Sequence, residues 1–348
     1  MSGPPEVWAV VLAGGVGSRF WPLSTPERPK QLLPLAGERP LLADAIERLE
    51  SLADPAHTLV LTNASLLAAV AQLLPAIPRE NIVAEPRPMG TGPALVWAAE
   101  RIAARGGRDA VMASVHADWA VADPEGFRAT LRAAVAAAAR HASLITVGIV
   151  PSRADPGFGY IQPDGEVQPG VRRVARFVEK PSRERAAEMR REGYLWNSGI
   201  FVWRVGDFLD EVRAHTPEIA PALEAHPDDI EAFFAAVQPV TVDVGVLERS
   251  ARVLVIAGDF GWDDVGTWGA LRRVRRLDAA GNAASGDVHA VEARGNVVHA
   301  EHGTVVLYGV SDLVVVVREG LVLVTTVERA ADLKGLVAAL PPAVREQA

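Results

Sequence analysis

The stretch WAVVLAGGVGSRFWPLSTPERPKQLLPL, Trp8 to Leu35, decides the fold. Its unbroken apolar run, Val7–Ala13, predicts a strand buried on both faces. The run empties into Gly14, Gly15 and Gly17, with Arg19 inside the loop and Lys30 behind Pro29. Without side chains, the loop's backbone N–H groups can approach phosphate oxygens closely. Arg19 adds a planar donor fork and Lys30 a compact ammonium. Three kinds of phosphate donor in one loop suggest a polyphosphate ligand such as a nucleoside triphosphate. The glycines alone are also compatible with a plain structural turn. A dinucleotide-binding loop is excluded: its third glycine would fall on Arg19 counted from Gly14, or on Phe20 counted from Gly15. No Gly-Lys-Ser/Thr follows, so the P-loop pattern fails as well.

Working outward, the apolar segments HTLVLT, NIVAE, DAVMASV and SLITVGIV read as further strands. Helical spacing covers Leu41–Leu52, Ser65–Leu74, Thr91–Ala104 and Pro124–Ala139. Strands that alternate with helices, each apolar enough to be buried on both faces, predict an α/β fold. Its sheet is mostly parallel, with helices on both sides. Ligands of such sheets bind beyond the carboxyl ends of the strands. The glycine loop, Glu85 and Asp118 all lie there, after the first, third and fourth strands. From Val171 the texture changes: VRRVARFVEKP reads as a strand and Arg183–Glu192 as a helix, followed by NSGIFVW, more helix to about Ala236, and RVLVIAGDFGWDDVGTW. The main domain is expected to span 1–277. After it GNAASGD reads as turn, Val288–Val327 as short β runs, and Ala331–Leu340 as a closing helix, so 278–348 is expected to form a small β-rich appendix.

Composition narrows the function. A net charge of −8 argues against a broad nucleic-acid surface. The absence of cysteine excludes disulfides, thiolate catalysis and cysteine-ligated metals. The N-terminus lacks a secretory pattern and no apolar run reaches membrane-spanning length, so the expected location is cytoplasmic. Among 35 basic residues only Lys30, Lys180 and Lys334 are lysines. Where arginine serves almost everywhere, a surviving lysine points to a place that needs a point charge.

The motif LAGGVGSRFWPLS…PKQLLPL resembles the entry motif of the sugar-1-phosphate nucleotidyltransferases. FVEKP (Phe177–Pro181), WNSGIF (Trp196–Phe201) and WDDVGTW (Trp262–Trp268) follow in that family's order, and their wording resembles the mannose-1-phosphate guanylyltransferases. The resemblance covers about the whole chain. It implies a Rossmann-like domain, a magnesium ion, and the reaction of GTP with mannose 1-phosphate to give GDP-mannose and pyrophosphate. Related bifunctional enzymes carry an added isomerase domain, which this chain is expected to lack.

The resemblance also implies roles. Asp118 and Asp264 would be the metal ligands; a carboxylate at a strand end is otherwise most often a cap. Magnesium takes one or two carboxylates plus substrate phosphates. Trp119 stands where the family commonly has histidine, and Asp263 beside Asp264 is an alternative that motif alignment disfavours. Glu179 would accept from sugar hydroxyls and Lys180 would meet the sugar phosphate; the competing reading is an exposed ion pair. Asn197 offers a donor and an acceptor suited to vicinal hydroxyls. Gly148 and Tyr160 resemble the sugar-pocket wall, although Gly157, Gly159 and Tyr160 also read as a plain turn. Leu12, Ala13, Gly14, Gly15, Gly17 and Ser18 would line the nucleotide, with Glu85, Gly90 and Thr91 near its base. The family often has asparagine at the position of Gly90. The expected assembly is a homodimer. Two alternatives remain: the same reaction with dTTP or UTP and glucose 1-phosphate, and a non-catalytic sugar-nucleotide-binding regulatory subunit.

Overall fold

The computed structural model describes residues 5–15 and 18–345. In chain order its strands are β1 Val7–Leu12, β2 Thr58–Asn63, β3 Ile82–Glu85, β4 Val111–His116, β5 Ala120–Val121, β6 Leu144–Ile149, β7 Tyr160–Gln168, β8 Val171–Val178, β9 Leu195–Arg204, β10 Val253–Gly258, β11 Trp262–Asp263, β12 Ala283–Val291, β13 Val297–Tyr308, β14 Leu313–Arg318 and β15 Leu321–Thr326. The helices used below are α1 Leu41–Leu49, α2 Leu67–Leu73, α3 Thr91–Gly106, α4 Pro124–His141, α5 Arg183–Arg191 and α6 Val205–His215. By their internal contacts the residues fall into two units. The first takes the segments up to Gly14, Ile46–His116 and Asp123–Phe260; the second takes Gly15–Ala45, Ala117–Ala122 and the chain from Gly261 on.

The first unit is a nine-stranded sheet in the order β3-β2-β1-β4-β9-β6-β10-β8-β7. Strands pair in parallel as β3-β2-β1-β4 and β6-β10. β9 enters between β4 and β6, antiparallel to both, and β8 runs antiparallel to β10 and β7. The sheet is therefore mixed, with β8 and β9 opposed to the other strands. β1 is buried over nearly its whole length, as its sequence predicts. One face packs Trp8, Val10 and Leu12 of β1 against Leu95, Ala99 and Ile102 of α3 and Phe208 of α6. In the same cluster Trp203 lies between Phe201 and Phe208, with ring centroids 5.5 and 4.3 Å away and planes within 15° of parallel. Each such pair is worth about 1 kcal/mol beyond its burial. α4 has no residue in this cluster and lies along β4, β6, β9 and β10.

Local differences from the sequence reading have local causes. α2 starts at Leu67, not Ser65, because Asn63 caps a preceding 3-10 turn by accepting from Leu66 N at 3.1 Å. β7 starts at Tyr160, where the sequence is also compatible with a turn. Its alternation is broken by Pro163 and Gly165, yet it pairs antiparallel with β8 through several bulges. In the second unit β12, β13, β14 and β15 form a sheet in that order. β12 starts at Ala283, inside the stretch GNAASGD whose composition predicts turn. Gly286 explains the difference: at φ 95, with Ala300 O in the place of any added Cβ, it is a bulge inside a strand. Among the described residues no helix is long and apolar enough to cross a membrane.

Candidate active site

The second unit brings Arg19, Lys30, Asp118 and Asp264 into one cluster. The link is a pair of two-residue strands: β11 runs antiparallel to β5, with Asp263 opposite Ala120 and Trp262 opposite Val121. Asp118 and Asp264, remote in sequence, therefore flank one short ladder. Lys30 opens a 3-10 turn after extended Pro29 and is only 6% exposed. Its Nζ donates to Asp118 Oδ2 at 2.9 Å and to the backbone oxygen of Asp264 at 2.5 Å.

The chain around Asp264 is built to aim it. Val265 is fully buried with φ 47, a conformation costly for a β-branched residue. A Cβ added at Gly266 would meet Asp264 Oδ2 at 2.5 Å and Arg19 Nη1 at 3.4 Å, so both side-chain ends lie against this glycine. Asp263 is already engaged: it accepts from Val265 N at 2.9 Å and from Arg273 Nε and Nη2 at 2.6 and 3.0 Å. The Asp264 carboxylate accepts no hydrogen bond among the described residues. Burial, then the charge of Asp263, pushes its carboxyl above the usual carboxylate range against the pull of Lys30 and Arg19. Trp119, in the position where the family commonly has histidine, is buried with its ring edge-on to Trp262 at 5.8 Å.

Sequence reasoning passes over Gln31. It is 2% exposed, and its Nε2 donates to Gly15 O at 2.9 Å, which fastens the glycine loop to the turn that carries Lys30. A glutamine set in an apolar stretch directly after a selected lysine is the available signal. Gly15 itself is exposed, Gly17 lies outside the described residues, and of Ser18 only the backbone is described.

The first unit holds the remaining candidates. Leu12 and Ala13 are buried at the end of β1, and Ala13 N donates to Leu61 O at 2.7 Å. A Cβ at Gly14 would meet Glu85 Oε1 at 3.3 Å, so the Glu85 carboxyl lies directly against the glycine. Burial pushes that carboxyl up to about 7. Gly90 has φ 86, and Val240 O lies 2.5 Å from where a Cβ would sit, so a side chain is refused there for backbone reasons. Thr91 Oγ1 accepts from Val242 N at 3.0 Å. Gly148 is needed for close packing, since a Cβ would sit 2.7 Å from Leu195. Tyr160 is fully buried and its hydroxyl pairs with the backbone of Asp155, at 3.1 Å to both N and O.

Glu179 and Asn197 meet at Gly159: a Cβ there would be 2.7 Å from Glu179 Oε2 and 3.6 Å from Asn197 Cβ. Lys180 is exposed, pairs with Glu179 at 2.8 Å, and has φ 40. A left-handed lysine at the end of β8 is a strained placement, of the kind that concentrates at binding sites. Asn197 Nδ2 donates to Asp243 Oδ1 at 2.7 Å, and its Oδ1 accepts from Gly199 N at 3.3 Å, so the amide orientation is fixed. Asp243, the second residue that sequence reasoning misses, heads a five-residue π-helical turn, Asp243–Leu247. Burial is the main force raising its pKa. An acid inside the apolar run VTVDVGVL is its signal.

The nucleotidyl transferase family model matches residues 8–281, which include both clusters. The chain belongs to the nucleotidyl transferase family. Among family members it is 38% identical to a mannose-1-phosphate guanylyltransferase of Escherichia coli K12, over 95% of this chain and 73% of that protein. It is 32% identical to a mannose-1-phosphate guanylyltransferase of Sinorhizobium fredii, over 96% and 67% respectively. A crystal structure from Thermus thermophilus, named as a mannose-1-phosphate geranyltransferase, superposes with a TM-score of 0.89 at 34% identity, covering 96% of this chain and 98% of that one.

Proposed function

We propose that this nucleotidyl transferase moves GMP from GTP to mannose 1-phosphate, giving GDP-mannose and pyrophosphate. The observation that carries the reading is the convergence of Lys30, Asp118 and Asp264 in a family member whose relatives, similar over nearly the whole chain, are named for this activity. An oxygen of mannose 1-phosphate attacks the α-phosphorus of GTP in line, and the bond to the pyrophosphate oxygen breaks. A phosphate monoester is mostly dianionic at neutral pH (second pKa about 6), so no general base is needed. Catalysis rests on positioning and charge neutralisation.

In this reading Arg19 and Lys30 hold the β- and γ-phosphates that depart. Lys180 holds the attacking phosphate, while Glu179 and Asn197 accept and donate to sugar hydroxyls. Leu12–Gly15, Gly17 and Ser18 cradle the nucleotide, with Glu85, Gly90 and Thr91 at its base and Gly148 and Tyr160 shaping the sugar wall. Asp118 and Asp264 suit a magnesium ion. The half-buried Asp264 carboxylate accepts no hydrogen bond among the described residues and lies beside the charge of Asp263, which a bound cation would offset. Two carboxylates leave the other positions to water and phosphate, as this ion prefers. When bound, magnesium supplies charge neutralisation at the phosphate oxygens. The reading carries with it a cytoplasmic location, no nucleic-acid or membrane partner, and a homodimer. Exposed Val306, Tyr308, Val322 and Val324 of the C-terminal sheet are candidates for its interface. In this reading residues 1–277 carry the groups that meet the substrates, and 278–348 form the β-rich appendix.

Pyrophosphate release with mannose 1-phosphate tests the reading, and Lys180 gives the test a residue. A surface ion pair would tolerate Lys180→Arg. A contact to the attacking phosphate would not, because a displacement of about 1 Å can cost on the order of 100-fold in rate. The expected result is such a loss in kcat/KM for mannose 1-phosphate with an unchanged melting temperature. Parent-like activity at limiting mannose 1-phosphate would remove Lys180 from the site.

A further inference from the structure

The C-terminal sheet and the loop that carries Arg19 and Lys30 share one core. Phe20, Leu23 and Leu33 of the loop pack in a cluster with Val297, Val314 and Val316 of β13 and β14. Polar contacts join the same two segments. Arg318 of β14 donates to Pro22 O at 2.9 Å; from the segment that precedes the sheet, Arg275 donates to Leu35 O at 2.7 Å and Trp268 Nε1 to Trp21 O at 3.2 Å. Arg275 is itself fixed to the sheet, donating to Val298 O and to His299 Nδ1 at 3.0 Å.

The link closest to the chemistry is Arg28, two residues before Lys30. Its backbone closes a turn with Thr25, exchanging hydrogen bonds at 3.1 and 3.2 Å. Its Nη1 donates at 2.7 Å to Glu301 Oε1 on β13, across 273 residues of sequence. The Glu301 side chain is only 19% exposed, and Arg318 Nε stands 3.9 Å from its other oxygen. An isolated surface ion pair contributes little to stability. This pair differs in its consequence, because it sets the start of the turn whose first residue is Lys30. From Lys30 the chain of contacts runs directly to Asp118 and Asp264.

We propose that Glu301 is a positioning residue: through Arg28 it holds Lys30 in register with Asp118 and Asp264. The C-terminal sheet is thereby part of the phosphate-handling apparatus and not only a candidate dimer interface. The inference rests on the assignment of Lys30 to the leaving pyrophosphate. It is tested in the full-length chain with Glu301→Ala, Arg28→Ala, the double variant, and Lys30→Ala as reference. The readouts are kcat, KM for mannose 1-phosphate, KM for pyrophosphate in the reverse reaction, and melting temperature.

Each single variant is expected to lose about tenfold in kcat and to raise the pyrophosphate KM by a similar factor, while KM for mannose 1-phosphate and the melting temperature stay at parent values. The double variant is expected to lose no more than the worse single, because both break one link. Parent kinetics in the singles while Lys30→Ala is inactive would overturn the positioning role and leave the site assignment standing. Losses that multiply in the double, or fall equally on both substrates with a lowered melting temperature, would also overturn it. An active Lys30→Ala would defeat the site assignment and this inference with it.

Discussion

Asp264→Asn lowers turnover on the order of 1,000-fold and leaves the fold at least as stable as the parent. The rate effect follows from charge. Placing a cation on transferring phosphates is worth several kcal/mol of transition-state stabilisation, and each 1.36 kcal/mol is tenfold. An amide keeps the shape of the carboxylate and gives up the charge that would hold magnesium. The stability effect follows from the direction of the pKa shift. The folded carboxyl is raised above its ordinary value, chiefly by burial. Above that value, ionising the group costs the folded state free energy that the unfolded chain does not lose. The asparagine variant escapes this cost at neutral pH, and the difference shrinks in acid, where the unfolded chain also binds the proton. Turnover at saturating magnesium, together with melting at pH 7.5 and pH 3.5, checks both halves. Near-parent turnover would make Asp264 a structural residue only.

Lys30→Arg is the second large effect, and its cause is geometric. Lys30 is buried, and its ammonium satisfies a carboxylate and a backbone oxygen at once. A guanidinium is longer, planar and spreads its donors, so it cannot place one charge at that point. The expected loss is at least about 100-fold in kcat. Forcing the larger head into a closed space costs a further ~1–3 kcal/mol, seen as a lower melting temperature. Lys334→Arg is the matched control. Lys334 is exposed at the start of the helix Lys334–Ala339, and exchange there is expected to be silent in both assays. Parent activity of Lys30→Arg would show that the position needs only positive charge.

Much of this architecture is legible in the amino-acid sequence. The parallel strands β1 to β4 are apolar on both faces, which their residues state directly, and the glycine loop, Arg19 and Lys30 follow the first of them. Other features depend on relations that local pattern does not encode. β5 and β11 are two residues long, too short for any periodicity, yet their pairing is what brings Asp118 and Asp264 to one ladder. β7 hides behind Pro163 and Gly165, and β12 behind its bulge at Gly286. Gln31 and Asp243 are polar residues whose burial gives them meaning, and burial is a tertiary fact. Gly90 shows the reverse: a position considered for base recognition is glycine because Val240 leaves no room for a side chain. Tyr160 likewise commits its hydroxyl to the Asp155 backbone.

The measurement that bears most directly on the central claim is pyrophosphate release by the full-length chain. Mannose 1-phosphate and glucose 1-phosphate are each paired with GTP, dTTP and UTP, with magnesium and with a chelator. The account predicts release fastest with GTP and mannose 1-phosphate, GDP-mannose as the co-product, and loss of the reaction with chelator. A faster reaction of dTTP or UTP with glucose 1-phosphate would contradict the substrate assignment, and no release from any pair would contradict catalysis itself.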